Sequence, residues 1–114
     1  MVGTLISNNF LNSTAVGYLD KKSDSWFRSW AEKFCVLTNV GLLYYEDPSK
    51  RPSNLFPIID AKIVSVPEAV NQRKWVFQIK SFSYDITFAA RKESDFKMWI
   101  DAFAKLQSET ERRK

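Results

Sequence analysis

The 114-residue sequence has no histidine, a single cysteine and no long hydrophobic run. Without histidine, the chain cannot form a catalytic triad with an imidazole base or a histidine metal site. One cysteine excludes an internal disulfide and a cysteine-cluster zinc site, and we expect Cys35, inside an apolar run, to be a small core residue. No run approaches about 18 apolar residues, so we predict no membrane-spanning helix.

Glycine and proline are also scarce, at 3 and 4 residues, whereas 45% of the chain is hydrophobic and 15% is aromatic. This composition and length are typical of one globular domain. The net charge of +4 favours acidic partners. A nucleic acid is not expected, because no basic stripe with interleaved aromatics is visible. No nucleophile–base pair, metal cluster or glycine-rich phosphate loop is visible either. We therefore predict that the protein is not an enzyme and has no cofactor or metal site.

Seven short segments are rich in aromatic and β-branched residues or alternate between apolar and polar residues, and we predict them to be β-strands. They cover residues 17–21, 30–37, 42–45, 55–60, 63–66, 75–79 and 84–88. Turn-forming residues separate them, and their regular spacing is typical of a sandwich or barrel.

The last segment changes to a helical period. Apolar residues recur at the i, i+3, i+4, i+7 spacing of an amphipathic helix: Phe96, Trp99, Ile100, Phe103 and Leu106. We predict a helix from about residue 92 to about residue 108, with these side chains in the core. The predicted organisation is therefore an N-terminal leader (1–15), one domain (16–108) and a basic tail (109–114).

Seven strands followed by a helix with a central tryptophan resembles the pleckstrin homology (PH) domain. The resemblance rests on the order of Gly17-Tyr18-Leu19-Asp20-Lys21, Trp30 to Thr38 (WAEKFCVLT), Leu43-Tyr44-Tyr45-Glu46, Leu55-Phe56-Pro57-Ile58 and the helix residue Trp99. It implies a mainly β fold, a seven-stranded two-sheet barrel capped by a C-terminal α-helix. The loops after strands 1, 3 and 6 would surround the open end. Many members bind acidic phospholipid headgroups there, chiefly phosphoinositides, and others bind proteins such as small GTPases.

The resemblance also implies a headgroup site. Lys21 matches a lysine that ends the first strand, and Lys33 matches the arginine of a basic-x-Arg element in the second. The other basic position of that element is Ala31 here, a departure that keeps phosphatidic acid and phosphatidylserine open as ligands. Strand alternation independently places Lys21 on the face of Leu19, and Lys33 on the face of Cys35.

The loop after the first strand has adjacent aromatic residues, Trp26 and Phe27, among polar residues. Tryptophan favours the membrane–water interface. We therefore predict that Trp26 and Phe27 insert into a bilayer while Lys22 and Arg28, with Lys21, hold phosphate. The alternative is that these aromatics pack against the barrel wall or the leader.

Further cations and one tyrosine are candidate contacts for a headgroup. Tyr44 matches a family tyrosine that can hydrogen-bond a phosphate. Arg51 and Lys50 follow the third strand, and Arg73 and Lys74 end the loop before the sixth, which we predict to be a third loop at the rim.

The prediction is thus a peripheral membrane module that is cytoplasmic, monomeric and bound to acidic phospholipid. The alternative is a PH domain that binds a signalling protein and has no lipid site. Ala31 and the nearby acidic residues Asp20, Asp24 and Glu32 favour this alternative, since they weaken an anion site.

Overall fold

The computed structural model describes residues 14–23, 29–58, 60–66 and 73–112. Within these residues it contains seven antiparallel strands and one C-terminal helix, as predicted. The strands are β1 (Ala15–Lys22), β2 (Trp30–Thr38), β3 (Gly41–Tyr45), β4 (Asn54–Phe56), β5 (Lys62–Val66), β6 (Trp75–Lys80) and β7 (Asp85–Ala90), and the helix is α1 (Glu93–Arg112).

Strand β1 joins the two halves of the sheet, whose order is β4-β3-β2-β1-β7-β6-β5. It pairs with β2 along its whole length, from Ala15 opposite Leu37 to Lys22 opposite Trp30. With β7 it pairs only around Asp20. The two sheets implied by the resemblance are therefore hydrogen-bonded into one continuous sheet through this short junction.

One hydrophobic cluster receives side chains from both halves of the sheet and from the helix. The half with β1 and β2 supplies Leu19, Cys35 and Leu37, the half with β6 and β7 supplies Phe77, Ile79 and Phe88, and α1 supplies Trp99, Phe103 and Leu106. Residues at such distant positions of a sheet share a cluster only if the sheet folds over on itself. The predicted core positions of the helix are confirmed, with Phe96 and Ile100 packed at the edge.

Strand β4 is shorter than the predicted segment 55–60 and ends at Phe56. Pro57 has no N–H to donate to a neighbouring strand, so the ladder stops there. The chain then turns, since the Ala61 N–H donates to the Ile58 carbonyl (3.1 Å) and Asp60 has a left-handed φ of 69°. Ile58 returns to the core.

Gly41 lets β3 and β4 approach each other at the β2–β3 turn. Its φ is +155°, which side-chain-bearing residues rarely adopt, and a Cβ here would lie 2.4 Å from the Phe56 carbonyl oxygen. The turn predicted from this part of the sequence therefore requires glycine at this position.

Helix α1 begins one residue after the predicted start and ends at Arg112, beyond the predicted end near residue 108. Its C-terminal part is attached to the barrel, because Leu106 is buried and Gln107 Nε2 donates to the Ala61 carbonyl (2.6 Å). No helix in the described ranges is both long and apolar enough to cross a bilayer.

Candidate functional site

Two of the loops leave the barrel at the same end. Strand β1 finishes at Lys22, opposite Trp30, where β2 begins. Strand β3 runs antiparallel to β2 and finishes at Tyr45, opposite Phe34. The β1–β2 loop, closed at its base by the Ser23 N–H and the Ser29 carbonyl (2.7 Å), and the β3–β4 loop therefore share one end.

Aromatic contacts bring the β6–β7 turn (81–84) to the same place. The Phe56 ring stacks on Tyr44, with 5.3 Å between ring centroids, and also lies 5.3 Å from the Tyr84 ring. The Tyr84 hydroxyl donates to the Pro57 carbonyl. The described ends of the first, third and sixth strands, from which these loops leave, thus lie at one end of the barrel, as the resemblance implied, and we call this region the basic end.

Lys21 and Lys33 lie on one face at the basic end. In the β1–β2 ladder Lys21 is opposite Ala31, and Lys33 is opposite Leu19. The two lysines are diagonal neighbours, a separation that long side chains can bridge. Both are half-buried, and they lie on the face that carries Leu19 and Cys35 deeper in the barrel.

The Lys33 ammonium already has two partners. It lies 5.6 Å from the Tyr44 ring centroid, in a cation–π geometry, and forms an ion pair with the Glu46 carboxylate at 2.5 Å. Only 12% of the Lys33 side chain is exposed, against 63% for Glu46. The structure therefore brings Lys33 and Tyr44 together and adds a carboxylate, that of Glu46, which was not predicted from the sequence.

The remaining candidates differ in position. Lys22 directly follows Lys21 in β1, so strand alternation places it on the opposite face. Arg51 and Lys50 are exposed in the β3–β4 loop at the basic end. That loop is shaped by Asp47, whose backbone carbonyl accepts from the Lys50 N–H at 3.0 Å. Four loop residues of the sequence analysis lie outside the described residues: Asp24, Trp26, Phe27 and Arg28.

Arg73 is bonded within the barrel wall and does not extend from a rim loop. Its guanidinium contacts the Asp20 carboxylate at 2.7 Å and donates to the Ala90 carbonyl at 3.1 Å. The residue that reaches the basic end from this half of the sheet is Tyr84, in the β6–β7 turn, whose ring contacts Phe56. Arg73 lies at the other end of β6. The predictions of Arg73 and Lys74 as rim cations are therefore wrong, because both residues lie at the end of β6 away from the basic end. Nothing in the sequence pattern indicates that Arg73 pairs with Asp20.

Asp20 is buried and forms ion pairs with Arg73 and Arg91. The Arg91 guanidinium lies 3.2 Å from the Asp20 carboxylate and 2.8 Å from the Glu32 carboxylate. Burial raises the pKa of Asp20, but hydrogen bonds from Arg91 and Arg73, together with their charges, outweigh it and hold the pKa below its ordinary value of 3.8. Asp20 and Glu32 are thus neutralised by arginines. They therefore repel an anionic ligand less than two uncompensated carboxylates would.

Phe82, which the sequence analysis overlooked, is fully exposed in the β6–β7 turn. The turn is held by the Ser81 N–H, which donates to the Tyr84 carbonyl at 2.9 Å, and by the Ser83 N–H, which donates to the Ser81 hydroxyl at 3.3 Å. The signal in the sequence was an aromatic residue between two serines in a very short connection. Such a connection leaves its side chain no core to enter.

Seven antiparallel strands followed by a helix, with three loops leaving from one end, define the PH-domain class of fold. A family model confirms this assignment. The model described as PH domain matches residues 15–108, and the chain belongs to this family. Over 102 residues it is 30% identical to Src kinase-associated phosphoprotein 1 of Xenopus tropicalis, covering 83% of this chain and 30% of that protein. Over 100 residues it is 25% identical to pleckstrin homology domain-containing protein 1 of Arabidopsis thaliana, covering 82% of this chain and 68% of that protein.

Solved PH domains have the same fold at low sequence identity. The Slm1 PH domain in complex with phosphoserine is similar with a TM-score of 0.72 and 17% identity, over 86% of this chain and 98% of that one. The C-terminal PH domain of pleckstrin in complex with D-myo-Ins(1,2,3,5,6)P5 is similar with a TM-score of 0.69 and 20% identity, over 82% and 93%. At these low identities, the similarities show that the fold is shared.

Proposed function

We propose that this PH domain is a peripheral membrane-targeting module that binds acidic phospholipid headgroups at the basic end. The observation that carries the proposal is the placement of Lys21 and Lys33 on one inward face of two adjacent strands. Converging cations are what a phosphorylated headgroup requires, because it carries several negative charges on a small volume.

The exposed cations around this pair extend the contact from one headgroup to a membrane surface. Lys50 and Arg51 project from the β3–β4 loop at the same end. Each cation near an anionic leaflet contributes about 1 kcal/mol, so several weak contacts add to the central one. The Tyr44 hydroxyl supplies a further hydrogen bond to phosphate.

An apolar contact completes the membrane-facing surface. Phe82 is fully exposed beside the exposed Lys80. An aromatic ring at this position enters the interfacial region of a bilayer while the lysine stays among the headgroups. We also propose that Trp26 and Phe27 insert in the same way, with Arg28 contacting phosphate and Lys22, on the outer face of β1, contacting the phosphate of a neighbouring lipid.

Two similar domains were solved with ligands of matching chemistry, an inositol pentakisphosphate and phosphoserine, and this supports a phosphate-bearing ligand here. The frog relative is a kinase-associated phosphoprotein of which this chain spans 30%. We therefore propose a signalling context, with the domain acting as a monomer at the cytoplasmic surface of a membrane.

Flotation with liposomes tests this function. At about 150 mM salt, where exposed charges are substantially screened, vesicles would contain neutral lipid alone, phosphatidylserine, phosphatidic acid or a phosphoinositide at matched total charge. The Lys21→Ala/Lys33→Ala variant would be compared with Lys74→Ala/Lys105→Ala, which removes two exposed lysines outside the basic end.

We expect binding to acidic vesicles that falls in the first variant and is retained in the second. An equal loss in both variants would show that binding depends on total charge and not on a site at the basic end. An absence of binding to every vesicle would overturn the proposal and favour the protein-binding alternative.

A further inference from the structure

The β3–β4 loop contains a serine that directly follows two cations and a proline, in the order Lys50-Arg51-Pro52-Ser53. Every residue from Pro48 to Leu55 is exposed. The loop leads into β4, which has only three residues and lies at an edge of the sheet, so this segment can detach from the barrel at low cost. An enzyme can therefore reach Ser53 without unfolding the core.

Two hydrogen bonds attach Ser53 to the backbone beside Lys33. The Ser53 N–H donates to the Tyr44 carbonyl at 2.8 Å, and the Ser53 hydroxyl accepts from the Glu46 N–H at 3.3 Å. The side chains of Tyr44 and Glu46 both contact the Lys33 ammonium. A group attached to the Ser53 oxygen therefore lies at the basic end, near the cations proposed to face the membrane.

We propose that Ser53 is a phosphorylation site for a serine kinase with an acidic peptide-binding groove, and that its phosphorylation releases the domain from acidic membranes. The Ser53 oxygen attacks the γ-phosphorus of ATP, the bond from that phosphorus to ADP breaks, and the hydroxyl proton passes to a base of the kinase. Lys50 and Arg51, just before the acceptor, supply the charge that an acidic groove selects. The release rests on the lipid-binding function proposed above, whereas the modification does not.

The modification cancels the positive charge that the loop offers to a membrane. A phosphoserine carries about −1.5 to −2 charges at neutral pH, which offsets the charges of Lys50 and Arg51. These exposed cations extend the contact from one headgroup to the membrane surface. Each cation near an anionic leaflet contributes to affinity, so we expect the loss of two such contributions to weaken membrane binding by about tenfold.

The first experiment locates the modification. The domain is incubated with ATP, Mg²⁺ and cyclic-AMP-dependent protein kinase, an enzyme that selects serines preceded by basic residues. Tandem mass spectrometry of its peptides then assigns the phosphate. We expect phosphate on Ser53 in the wild type and none there in Ser53→Ala. The reaction should be about tenfold slower in Lys50→Gln/Arg51→Gln, as expected from the loss of two ion pairs with the groove.

Ser49→Ala is the matched control. Ser49 is exposed in the same loop, but Asp47-Pro48 precedes it in place of two cations. Its hydroxyl donates to the Asp47 carboxylate at 2.8 Å. We expect Ser49→Ala to be phosphorylated on Ser53 at the rate of the wild type.

The second experiment measures release from membranes. Phosphorylated and unmodified wild type are floated at about 150 mM salt with vesicles of phosphatidylcholine that contain either phosphatidylserine or phosphatidylinositol 4,5-bisphosphate. Ser53→Ala, taken through the same kinase reaction, is the control. We expect phosphorylation to weaken binding of the wild type about tenfold and kinase treatment to leave the control unchanged. Melting curves confirm that the phosphorylated protein is folded.

The outcomes separate this inference from the function on which it rests. If the unmodified domain binds vesicles but Ser53 is not phosphorylated, or is phosphorylated without loss of binding, the inference is refuted while lipid binding stands. Phosphate on Ser49 in place of Ser53 would refute the assigned acceptor. If the unmodified domain binds neither vesicle, the proposed function and the release both fail, and phosphate on Ser53 then supports the modification alone.

Discussion

Asp20 forms ion pairs within the barrel wall, whereas the next residue of the first-strand motif, Lys21, lies at the basic end. It precedes Lys21 in β1, so strand alternation points the two side chains to opposite faces. Its partner Arg91 is 71 residues away in the chain. Alternation predicted the face of Lys21, but no local pattern predicts pairings over such a distance, since they depend on the registers of β1, β6 and β7.

We expect Asp20→Asn to destabilise the fold by about 2 kcal/mol at neutral pH, because it leaves the partly buried Arg73 without its counter-ion. The folded-state pKa of Asp20 lies below its ordinary value of 3.8. Its charge therefore stabilises the protein above about pH 4, and this contribution is lost as the pH falls through the folded-state pKa.

Urea unfolding from pH 7 to pH 3 checks this. The stability gap between wild type and Asp20→Asn should shrink below about pH 4. The exposed Asp101 in α1 provides a control, since Asp101→Asn should leave the free energy of unfolding almost unchanged. A gap that is constant down to pH 3 would contradict a lowered pKa.

Cys35 is predicted to be chemically inert in the folded protein. It has no exposed surface, and burial raises the pKa of its thiol to about 12. At pH 8 we expect alkylation by iodoacetamide to be slow in buffer and fast in concentrated guanidinium chloride. Mass spectrometry of the intact protein gives the rate, and modification of the native protein as fast as that of a free thiol would show that β2 opens readily.

At the scale of the elements, the combination of residue composition and alternation predicted six of the seven strands to within two residues at each end. It succeeded because one face of each strand supplies the common core. It failed at β4, where Pro57 ends the ladder although apolar residues continue. The Lys33–Glu46 pair was not predicted because it depends on the register between β2 and β3, which alternation alone leaves open.

The β6–β7 turn provides a prediction that separates binding from stability. Phe82→Ser removes an aromatic ring that contributes little to the core, so we expect an unchanged melting temperature. Vesicle affinity should fall about fivefold, which corresponds to about 1 kcal/mol for partial burial of the ring in the bilayer.

The matched control is Val40→Ser in the β2–β3 turn. Val40 is an exposed apolar residue like Phe82, but its turn lies at the end of β2 away from Lys33. Flotation of both variants with the same acidic vesicles is the measurement. Equal losses in the two variants would show that Phe82 has no particular role at the membrane.

At the scale of the whole molecule, the basic end exists only because the continuous sheet closes. Lys33 belongs to one half of the sheet, and the turn that carries Phe82 belongs to the other. Both halves close on one core whose helix contributes Trp99, packed 6.3 Å from Phe103 between ring centroids. Loss of this packing should therefore affect the two halves together.

We expect Trp99→Phe to lower the free energy of unfolding by about 1–3 kcal/mol, because the smaller ring leaves a cavity beside Gly17. The two residues are close, since a Cβ atom placed on Gly17 would lie 3.7 Å from the Trp99 ring. Trp99→Ala should cost about 3–5 kcal/mol, close to the whole stability of a small domain. Near the unfolding midpoint of Trp99→Phe, hydrogen exchange measured on peptides from β2–β3 and from β6–β7 should show loss of protection at the same denaturant concentration. Two separate midpoints would mean that each half holds its own core, and the residues of the basic end would then be positioned independently of one another.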